Sequence, residues 1–331
     1  MTATQIQAPP LQPGRSCPLH YRYGAAALNV PAQSQCDTLY VVGGLYGNPQ
    51  ALATVLELFE REPAPRKRLV FNGDFHWFDT DPEVFARIQQ QVLSFDAIRG
   101  NVETELSDDS AGDGDSQAGC GCGYPDWVDD AVVDHSNQIL QRLRQTALTI
   151  QSSRQPLAAL PMWRRIDVGG QRVAIVHGDA DSLAGWGFAQ ERCREPGHQA
   201  QLAAWFEAAQ VDVFASSHTC LPVFLPLAAG TVLNNGAAGM PNFTGDTAGL
   251  LTRIATTAYL GGERRFGLQR HGLHLDAIGI AHDAPAWHEL FLRQWPPGSA
   301  AHRSYWPRIQ RGPAYSVAEA MPGTMTILPV T

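Results

Sequence analysis

The chain has 331 residues, of which 44% are hydrophobic and 17% are charged, so it can bury one large core or two smaller ones. Its formal net charge of -8 argues against sequence-independent binding to nucleic acids and against binding to an anionic membrane surface. No stretch has the continuous hydrophobicity of a membrane span or a signal peptide, and six cysteines in a chain of this length do not form a disulfide scaffold, so we expect a cytoplasmic protein.

The first part of the chain predicts an extension followed by alternating strands and helices. Residues 1–36 contain Pro and Gln with little hydrophobic periodicity, which is typical of a segment laid over a domain surface. Residues 38–44 are rich in β-branched side chains and predict a strand, and a helix follows with Asn48 as its cap and Pro49 at its first position. The same pattern then gives a strand, a helix and a strand, at residues 68–74, 81–93 and 95–101. This alternation predicts a βαβ core with parallel strands.

The rest of the chain predicts an insertion, a long helix and then a β-rich half. Residues 107–123 are rich in Gly, Ser and Asp and predict a mobile surface insertion, and a helix is expected over 128–146. A hairpin is expected to turn at Gly169–Gly170. One helix and five strands follow, at residues 200–210, and at 211–218, 222–227, 231–236, 249–256 and 266–280.

These elements are most simply arranged as two facing sheets in one layered domain. The tail of the chain has a mixed character after residue 280. We predict that residues 281–331 form a C-terminal extension packed on the domain, held by Trp287, Trp295 and Trp306.

Several predicted strands end in a small residue followed by a side chain that can bind a metal. Asp74, Asn101, His177 and His218 occupy such positions. Loops at the carboxyl ends of strands meet in one crevice of an open α/β sheet, and this mixed N/O set suits manganese, iron or zinc. Each residue alone also has an ordinary explanation, as a turn-forming Asp or a core histidine, and spacing alone leaves both interpretations open.

The order of these motifs resembles the calcineurin-like metallophosphoesterase superfamily over roughly residues 37–275. The resemblance implies an α/β fold, a two-sheet β-sandwich flanked by helices in four layers, within a domain spanning 37–280. It also implies metal ions at the loop ends. The motifs that carry it are G-D, G-N-H, an isolated histidine, G-H-x-H and a closing turn, matched here by Gly73–Asp74, Gly100–Glu103, His177, Ser217–Cys220 and Asn235–Gly236.

The sequence departs from the family at the first motif, D-x-H. Gly44 stands where that motif has its aspartate, Tyr46 stands where it has its histidine, and Cys220 replaces the last histidine of G-H-x-H. Carried over to these positions, one metal site keeps only Asp74. The other keeps all of its ligands, namely Asp74, Asn101, His177 and His218. The resemblance therefore implies one divalent metal ion and makes a second ion doubtful. A dinucleotide loop is the weaker interpretation, because residues 43–48 lack the full G-x-G-x-x-G spacing.

Two side chains are candidate proton donors, because Val102 replaces the family's usual acid. Tyr46 would point into the vacated metal pocket, or it would simply fill it. His76 is the other candidate, or it is a surface residue beside Trp77. Glu103 is expected to steady the asparagine loop.

Other residues near the predicted cleft have more than one open interpretation each. Cys220 is either an additional metal ligand or a small buried apolar group. The loop with Cys120 and Cys122 either folds back over the site, where its thiolates would add ligands, or its C-x-C sequence is a redox pair or has no role. Arg192 and Arg194 either bind the substrate phosphate or are solvated, and Trp186 could stack on a flat group.

Three functions remain open at this level. The leading hypothesis is a metal-dependent hydrolase that cleaves a phosphate mono- or diester of a small molecule at a mono-metal site. The second is a pseudoenzyme that uses the fold to bind a ligand or partner. The third is an enzyme of another reaction type at a single metal, such as iron redox chemistry. The sequence does not indicate the oligomeric state.

Overall fold

Twelve strands form two six-stranded mixed sheets in the part of the chain that the computed structural model describes, residues 12–108 and 119–322. The strands are β1 Ser34–Cys36, β2 Thr38–Val42, β3 Lys67–Asn72, β4 Asp96–Ile98, β5 Trp163–Val168, β6 Gln171–Val176, β7 Val213–Ser216, β8 Pro222–Pro226, β9 Thr231–Asn235, β10 Gly249–Ala255, β11 Arg264–Arg270 and β12 Leu273–Ile280. The predicted insertion 107–123 falls largely on residues 109–118, which lie outside the described ranges.

Ten helices accompany these strands in the described ranges. They are α1 Pro49–Arg61, α2 Pro82–Val92, α3 Asn101–Ser107, α4 Asp130–Thr149, α5 Arg154–Ala158, α6 Gln190–Cys193, α7 Gln199–Ala209, α8 Ala284–Gln294, α9 Ala300–Arg311 and α10 Val317–Ala320. None of these helices is long and apolar enough to cross a lipid bilayer.

The first sheet has the strand order β11-β12-β10-β2-β3-β4. Strands β2, β3 and β4 pair in parallel, which confirms the predicted βαβ core. Every residue of β2 is buried, as expected for a parallel strand covered on both faces. Helix α1 begins as predicted, with Pro49 at its first turn and the Asn48 side chain accepting hydrogen bonds from the Gln50 and Ala51 amides.

The second sheet has the order β1-β5-β6-β7-β9-β8 and includes the predicted hairpin that turns at Gly169–Gly170. Strands β6, β7 and β9 are parallel, so their carboxyl ends lie at one edge. Strands from both halves of the sequence enter each sheet. The first sheet combines β2, β3 and β4 with β10, β11 and β12, and the second sheet includes β1 beside later strands. The α/β half and the β-rich half are therefore interleaved.

Two element predictions were wrong. Residues 266–280 do not form one strand, because His271 and Gly272 both adopt a left-handed backbone, with φ of 49° and 78°. Two successive left-handed residues make a tight hairpin turn, which separates β11 from β12. The strand predicted over 95–101 is too long, because β4 ends at Ile98 and Asn101 begins the unpredicted helix α3.

Both predicted extensions contact the sandwich. Strand β1 pairs in parallel with β5 at the edge of the second sheet. Helix α8 lies next to α1, and α9 packs against α4. Trp287 and Trp295 are buried, and the Trp295 indole donates a hydrogen bond to the Phe78 carbonyl. The boundaries at residues 36 and 281 stay predictions.

Candidate metal centre

The four predicted metal-binding side chains lie together where strands of both sheets end. Asp74 follows β3 by two residues, and Asn101 is the first residue of α3, just after β4. His177 comes directly after β6, and His218 follows β7 by two residues. Parallel strands end at the same sheet edge, so the fold brings residues that are far apart in sequence into one crevice. All four residues are buried.

The ring nitrogen Nε2 of His177 is at the centre of the group. It lies 3.2 Å from Asn101 Oδ1, 3.3 Å from Asp74 Oδ2 and 3.2 Å from His218 Nδ1. The potential ligand atoms of Asp74, His177 and His218 are all within 4.8 Å of one another. Four atoms that can each offer a lone pair therefore lie close together, with His177 Nε2 in contact with the other three.

Hydrogen bonds to backbone carbonyls fix both imidazole rings. His177 Nδ1 donates to the Asn72 carbonyl at 2.8 Å, and His218 Nε2 donates to the Cys122 carbonyl at 2.9 Å. A carbonyl oxygen can only accept, so each contact places a proton on that nitrogen. The opposite nitrogen of each ring is left facing the centre, and metal-binding histidines are commonly oriented by backbone carbonyls in this way.

The amide and the carboxylate are held in the same way. Asn101 Nδ2 donates to the Cys120 carbonyl at 2.9 Å, which turns Asn101 Oδ1 toward the centre. Asp74 Oδ1 accepts from the Val102 amide at 3.2 Å, so Asp74 Oδ2 faces His177. A Cβ atom at Gly100 would lie 2.2 Å from Asp74 Oδ1, so this close approach of backbone to carboxylate requires glycine.

The electrostatics of the group favour a positive charge at its centre. Burial disfavours the charged form of His177, but the neighbouring Asp74 carboxylate outweighs this effect and raises the pKa of His177. Burial and the nearby His177 together lower the pKa of His218 to about 4, so His218 is neutral at pH 7 with a free lone pair. Burial also acts against ionisation of Asp74, but the two histidines lower its pKa and keep it charged.

A divalent cation fits this arrangement. In a tetrahedral site with bonds of about 2.1 Å, neighbouring ligand atoms are about 3.4 Å apart. The separations of 3.2 to 3.3 Å around His177 Nε2 agree with that spacing. One carboxylate, one amide oxygen and two imidazoles are also a donor set that manganese, iron and zinc accept.

Glu103 ties the two loops that carry Asp74 and Asn101 together. Its carboxylate accepts from the backbone amides of Asp74 at 2.8 Å, Phe75 at 3.1 Å and Gly100 at 2.9 Å. The side chain is fully buried. Its role in steadying the asparagine loop, expected from the sequence, agrees with these contacts.

Replacing Glu103 with alanine should lower the free energy of unfolding by about 3–5 kcal/mol, because it leaves several buried amides without an acceptor. Denaturant unfolding measures this loss. Glu83→Ala is the matched control, since Glu83 is an exposed carboxylate in the first turn of α2 and should change the free energy by less than about 0.5 kcal/mol. Equal effects of the two substitutions would contradict the clamping role.

Tyr46 fills the space next to Gly44, where the resemblance leads one to expect an aspartate. A Cβ atom at Gly44 would lie 2.8 to 2.9 Å from three atoms of the Tyr46 side chain. The Tyr46 hydroxyl lies 2.7 Å from Cys220 Sγ, so two of the departed ligand positions contact each other directly. Burial raises the pKa of both the Tyr46 phenol and the Cys220 thiol, so both are protonated at pH 7.

Arg308 of helix α9 provides a cation beside this pair. Its Nη2 donates to the Cys220 carbonyl at 2.7 Å, and its Nε donates to the Pro241 carbonyl at 3.0 Å. Its charge acts on the Cys220 thiol and the Tyr46 phenol, opposing the effect of burial on the pKa of each. Arg308 was not predicted, because no local sequence pattern indicates a contact between residues that are 88 positions apart.

A loop of residues 119–127, here called the covering loop, lies over the four residues. Its Cys120 and Cys122 carbonyls accept the hydrogen bonds from Asn101 and His218 described above, and the Cys122 carbonyl also accepts from Trp186 Nε1 at 2.9 Å. The Cys122 thiol lies 3.6 Å from Asn101 Nδ2. The interpretation in which this segment folds back over the site therefore agrees with the structure, although its contacts to the four residues run mainly through backbone oxygens.

A cavity of about 40 Å³ adjoins the site. It is lined by Tyr46, Asp74, Trp77, Asn101, Val102, Cys122, Tyr124, Trp186, His218, Cys220 and Tyr305. A water molecule needs about 10–15 Å³ by this measure, so the cavity holds a few small groups. Tyr124 and Tyr305 were not predicted, since they reach the site from the covering loop and from α9.

The structure does not bring the other candidates to this cavity. His76 is fully buried, with Nδ1 2.6 Å from Asp79 Oδ2 and its ring stacked on Phe85 at 3.7 Å, so the alternative of a surface residue is wrong. Arg192 pairs with Glu195, and Arg194 donates to the Glu319 carbonyl. His76, Arg192 and Arg194 do not line the cavity.

A larger cavity of about 610 Å³ lies near the amino end of β2 and includes Arg61, Glu62, Arg253 and Tyr259. None of the four candidate metal ligands lines it. The buried Arg253 guanidinium is paired there with the Glu62 carboxylate at 2.8 Å.

The fold has relatives among solved structures, while no family model and no curated protein matches the sequence. A hypothetical protein from Pyrococcus horikoshii is similar with a TM-score of 0.59 and 14% identity, over 84% of this chain and 99% of that one. A metallophosphoesterase from Sphaerobacter thermophilus is similar with a TM-score of 0.49 and 15% identity, over 84% of this chain and all of its own. At such identities the likeness concerns the fold alone. The two-sheet sandwich flanked by helices, implied by the resemblance to calcineurin-like metallophosphoesterases, is confirmed.

Proposed function

We propose that this chain is a metal-dependent phosphoesterase that hydrolyses a phosphate mono- or diester of a small molecule in the cytoplasm. In this proposal a single manganese, iron or zinc ion is held by Asp74, Asn101, His177 and His218. The observation that carries it is the convergence of acceptor atoms on His177 Nε2 at 3.2 to 3.3 Å, with the other polar atoms of both rings and of the amide engaged elsewhere.

A divalent cation at this point supplies Lewis acidity toward a phosphoryl oxygen and lowers the pKa of water. The chain's own residues provide the rest of the site. The buried, protonated Tyr46 hydroxyl lines the cavity and can donate a hydrogen bond to a phosphate oxygen or to the leaving group. The covering loop and Trp186 exclude bulk water from the same space, which strengthens each polar interaction inside it.

A single ion leaves part of the phosphate charge without a metal partner. Arg308 is a cation close enough to influence the pKa of both Tyr46 and Cys220. We infer that its guanidinium takes over part of the role of a second ion by favouring negative charge on this side of the cavity. It also holds the Cys220 carbonyl, and with it the turn that carries His218.

Replacing Arg308 with glutamine should lower kcat/KM for a phosphate ester about tenfold, because a positive charge is lost near the developing negative charge. Steady-state kinetics measure this effect, and bound metal should stay at one equivalent. Arg303→Gln, at an exposed position of the same helix, is the matched control and should leave kcat/KM unchanged. Unchanged kinetics in Arg308→Gln would remove this residue from the proposal.

The test of the proposed function starts from metal content. Purified full-length protein should contain about one equivalent of manganese, iron or zinc, and it should release nitrophenol from nitrophenyl phosphate or bis(nitrophenyl) phosphate. Removing the metal with a chelator should stop hydrolysis, and adding it back should restore the rate. Protein that takes up none of the three ions and hydrolyses neither ester would contradict the proposal.

A pseudoenzyme is the second candidate, and the filled space around Tyr46 favours it. Tyr46 and Cys220 contact each other where the family has ligands of a second ion, and the remaining cavity is only about 40 Å³. One bound ion without hydrolysis of either ester, under conditions where related esterases turn over, would select this function.

A further inference from the structure

Three aromatic side chains lead from His218 toward the protein surface. The ring of Trp186 lies 5.5 Å from that of His218, with an interplanar angle of 78°. Trp127 lies 6.5 Å beyond Trp186 at 85°, and Tyr124 lies 5.6 Å from Trp186 at 47°. We call Tyr124, Trp127 and Trp186 the aromatic wall. It begins at a residue of the candidate metal centre.

The aromatic wall is held in a fixed position relative to the candidate metal centre. Trp186 Nε1 and His218 Nε2 donate to the same Cys122 carbonyl, each at 2.9 Å. The Tyr124 hydroxyl forms a hydrogen bond with Ser136 Oγ at 3.0 Å. A ring stacked against Trp186 would therefore meet a surface that is already oriented, so binding would not require ordering of these side chains.

The outer end of the aromatic wall is open to solvent. The Trp127 side chain is 53% exposed, whereas Trp186 and Tyr124 are half-buried and line the cavity. Exposed apolar residues are ordinary when they are isolated, but Trp127 continues an aromatic surface that begins inside the cavity. That continuity gives a flat ring a place to bind outside a cavity that is too small to contain it.

The charges around the aromatic wall restrict the ligand further. Asp126, Asp129 and Asp130 are exposed beside Trp127, and the nearby Arg15 is engaged by Asp130 and by the Pro125 and Val128 carbonyls. These carboxylates would repel additional phosphates on the outer part of a ligand. The surroundings therefore favour an uncharged ring carrying a single phosphate.

We propose that the aromatic wall binds the planar ring of the substrate, so that the favoured esters are monophosphates of alcohols carrying one flat aromatic group, such as aryl or nucleoside monophosphates. This inference rests on the proposed function, because it takes the phosphate end to lie in the cavity next to His218. Rings stacked on tryptophan gain affinity from their flat faces with little dependence on their substituents.

Binding of two phosphonates to the metal-loaded, full-length protein tests this inference without turnover, since their C–P bond is not hydrolysed. Phenylphosphonate should bind about tenfold more tightly than butylphosphonate, measured by calorimetry and by quenching of tryptophan fluorescence. Trp127→Ala should remove this preference by weakening phenylphosphonate alone, and Trp127→Phe should retain most of it. Leu260→Ala, which removes an apolar side chain that is 93% exposed elsewhere, should change neither affinity.

The outcomes separate this inference from the proposed function. Equal binding of the two phosphonates, no binding of either, or a preference that survives in Trp127→Ala would overturn the inference. Hydrolysis of phenyl and butyl phosphate with equal phosphonate affinities would leave the proposed function standing without the aromatic specificity. Selective binding of phenylphosphonate without hydrolysis of phenyl phosphate would support the aromatic wall and contradict the phosphoesterase.

Discussion

Replacing His177 with alanine should lower the affinity for the proposed metal ion by at least about 100-fold and abolish the proposed phosphoesterase activity. Loss of an outer-shell partner alone typically costs 10- to 100-fold in affinity, and His177 is placed as a direct ligand. Its Nε2 lies within 3.3 Å of the facing atoms of Asp74, Asn101 and His218, so no neighbouring group can take its place without moving. Metal content after dialysis against a graded series of chelators measures the loss.

His177→Ala should also lower the stability of the protein. A second variant is therefore needed to separate metal loss from unfolding. His177 Nε2 lies 3.3 Å from the buried Asp74 carboxylate, and removing one partner of a buried pair costs about 3–5 kcal/mol. His218 is neutral at pH 7, so His218→Ala removes a ligand without leaving an unpaired charge.

Both variants should lose the ion, while His20→Ala, which removes an exposed imidazole, should retain it. Full metal content in a folded His218→Ala protein would contradict the proposed ligand set, whatever the stability of His177→Ala.

Local sequence patterns were sufficient to predict most of the elements that position the site, with the exception of helix α3, which begins at Asn101. The cap at Asn48 and the first-turn proline at 49 act within three residues, and the alternation of apolar strands with amphipathic helices is visible along the chain. Once parallel strands are expected, their carboxyl ends must share an edge of their sheet, so the proximity of Asp74 to Asn101, and of His177 to His218, follows from topology. The two pairs then meet because the two sheets face each other.

The contacts that complete the site could not be predicted, because they connect segments with no local signal. The Cys122 carbonyl orients His218 from 96 positions away, and a backbone oxygen leaves no signature in a sequence. Helix α9 was assigned to a tail that covers the domain, yet it supplies Tyr305 to the cavity and Arg308 to Cys220. For His76 the local signal was misleading. Its position two residues after Asp74 suggested a role at the site, but its ring packs on Phe85.

The backbone at residues 44, 46 and 220 has a conformation that Asp and His can adopt. Gly44, Tyr46 and Cys220 all adopt a left-handed backbone, with φ of 64°, 55° and 61°. Asp and His tolerate this region better than most residues with a side chain. In the proposed mono-metal site, the absence of a second ion is therefore attributed to side chains: Gly44 and Cys220 offer no carboxylate or imidazole, and the Tyr46 side chain occupies the space.

The triple variant Gly44→Asp, Tyr46→His, Cys220→His should consequently bind about two metal ions per chain, where the natural chain binds about one. Gly44→Asp alone should instead destabilise the protein by about 2–3 kcal/mol, because the new Cβ lies 2.8 to 2.9 Å from the Tyr46 side chain and a left-handed backbone adds its own cost. Tyr46→His should recover most of that loss, since the clashing ring is removed. Denaturant unfolding of the two single variants and the double variant gives this coupling as a double-mutant cycle, and elemental analysis gives the metal content.

Tyr46→Phe serves as the control for metal content, because it keeps the ring in place and should leave the stoichiometry at one. If the triple variant folds and still binds a single ion, the side chains at 44, 46 and 220 are not what limits the site. If the natural chain already binds two ions, the reasoning from these three positions fails at its start. A rise from one ion to two would show that these three side chains alone prevent the natural chain from binding a second ion, and that its backbone does not.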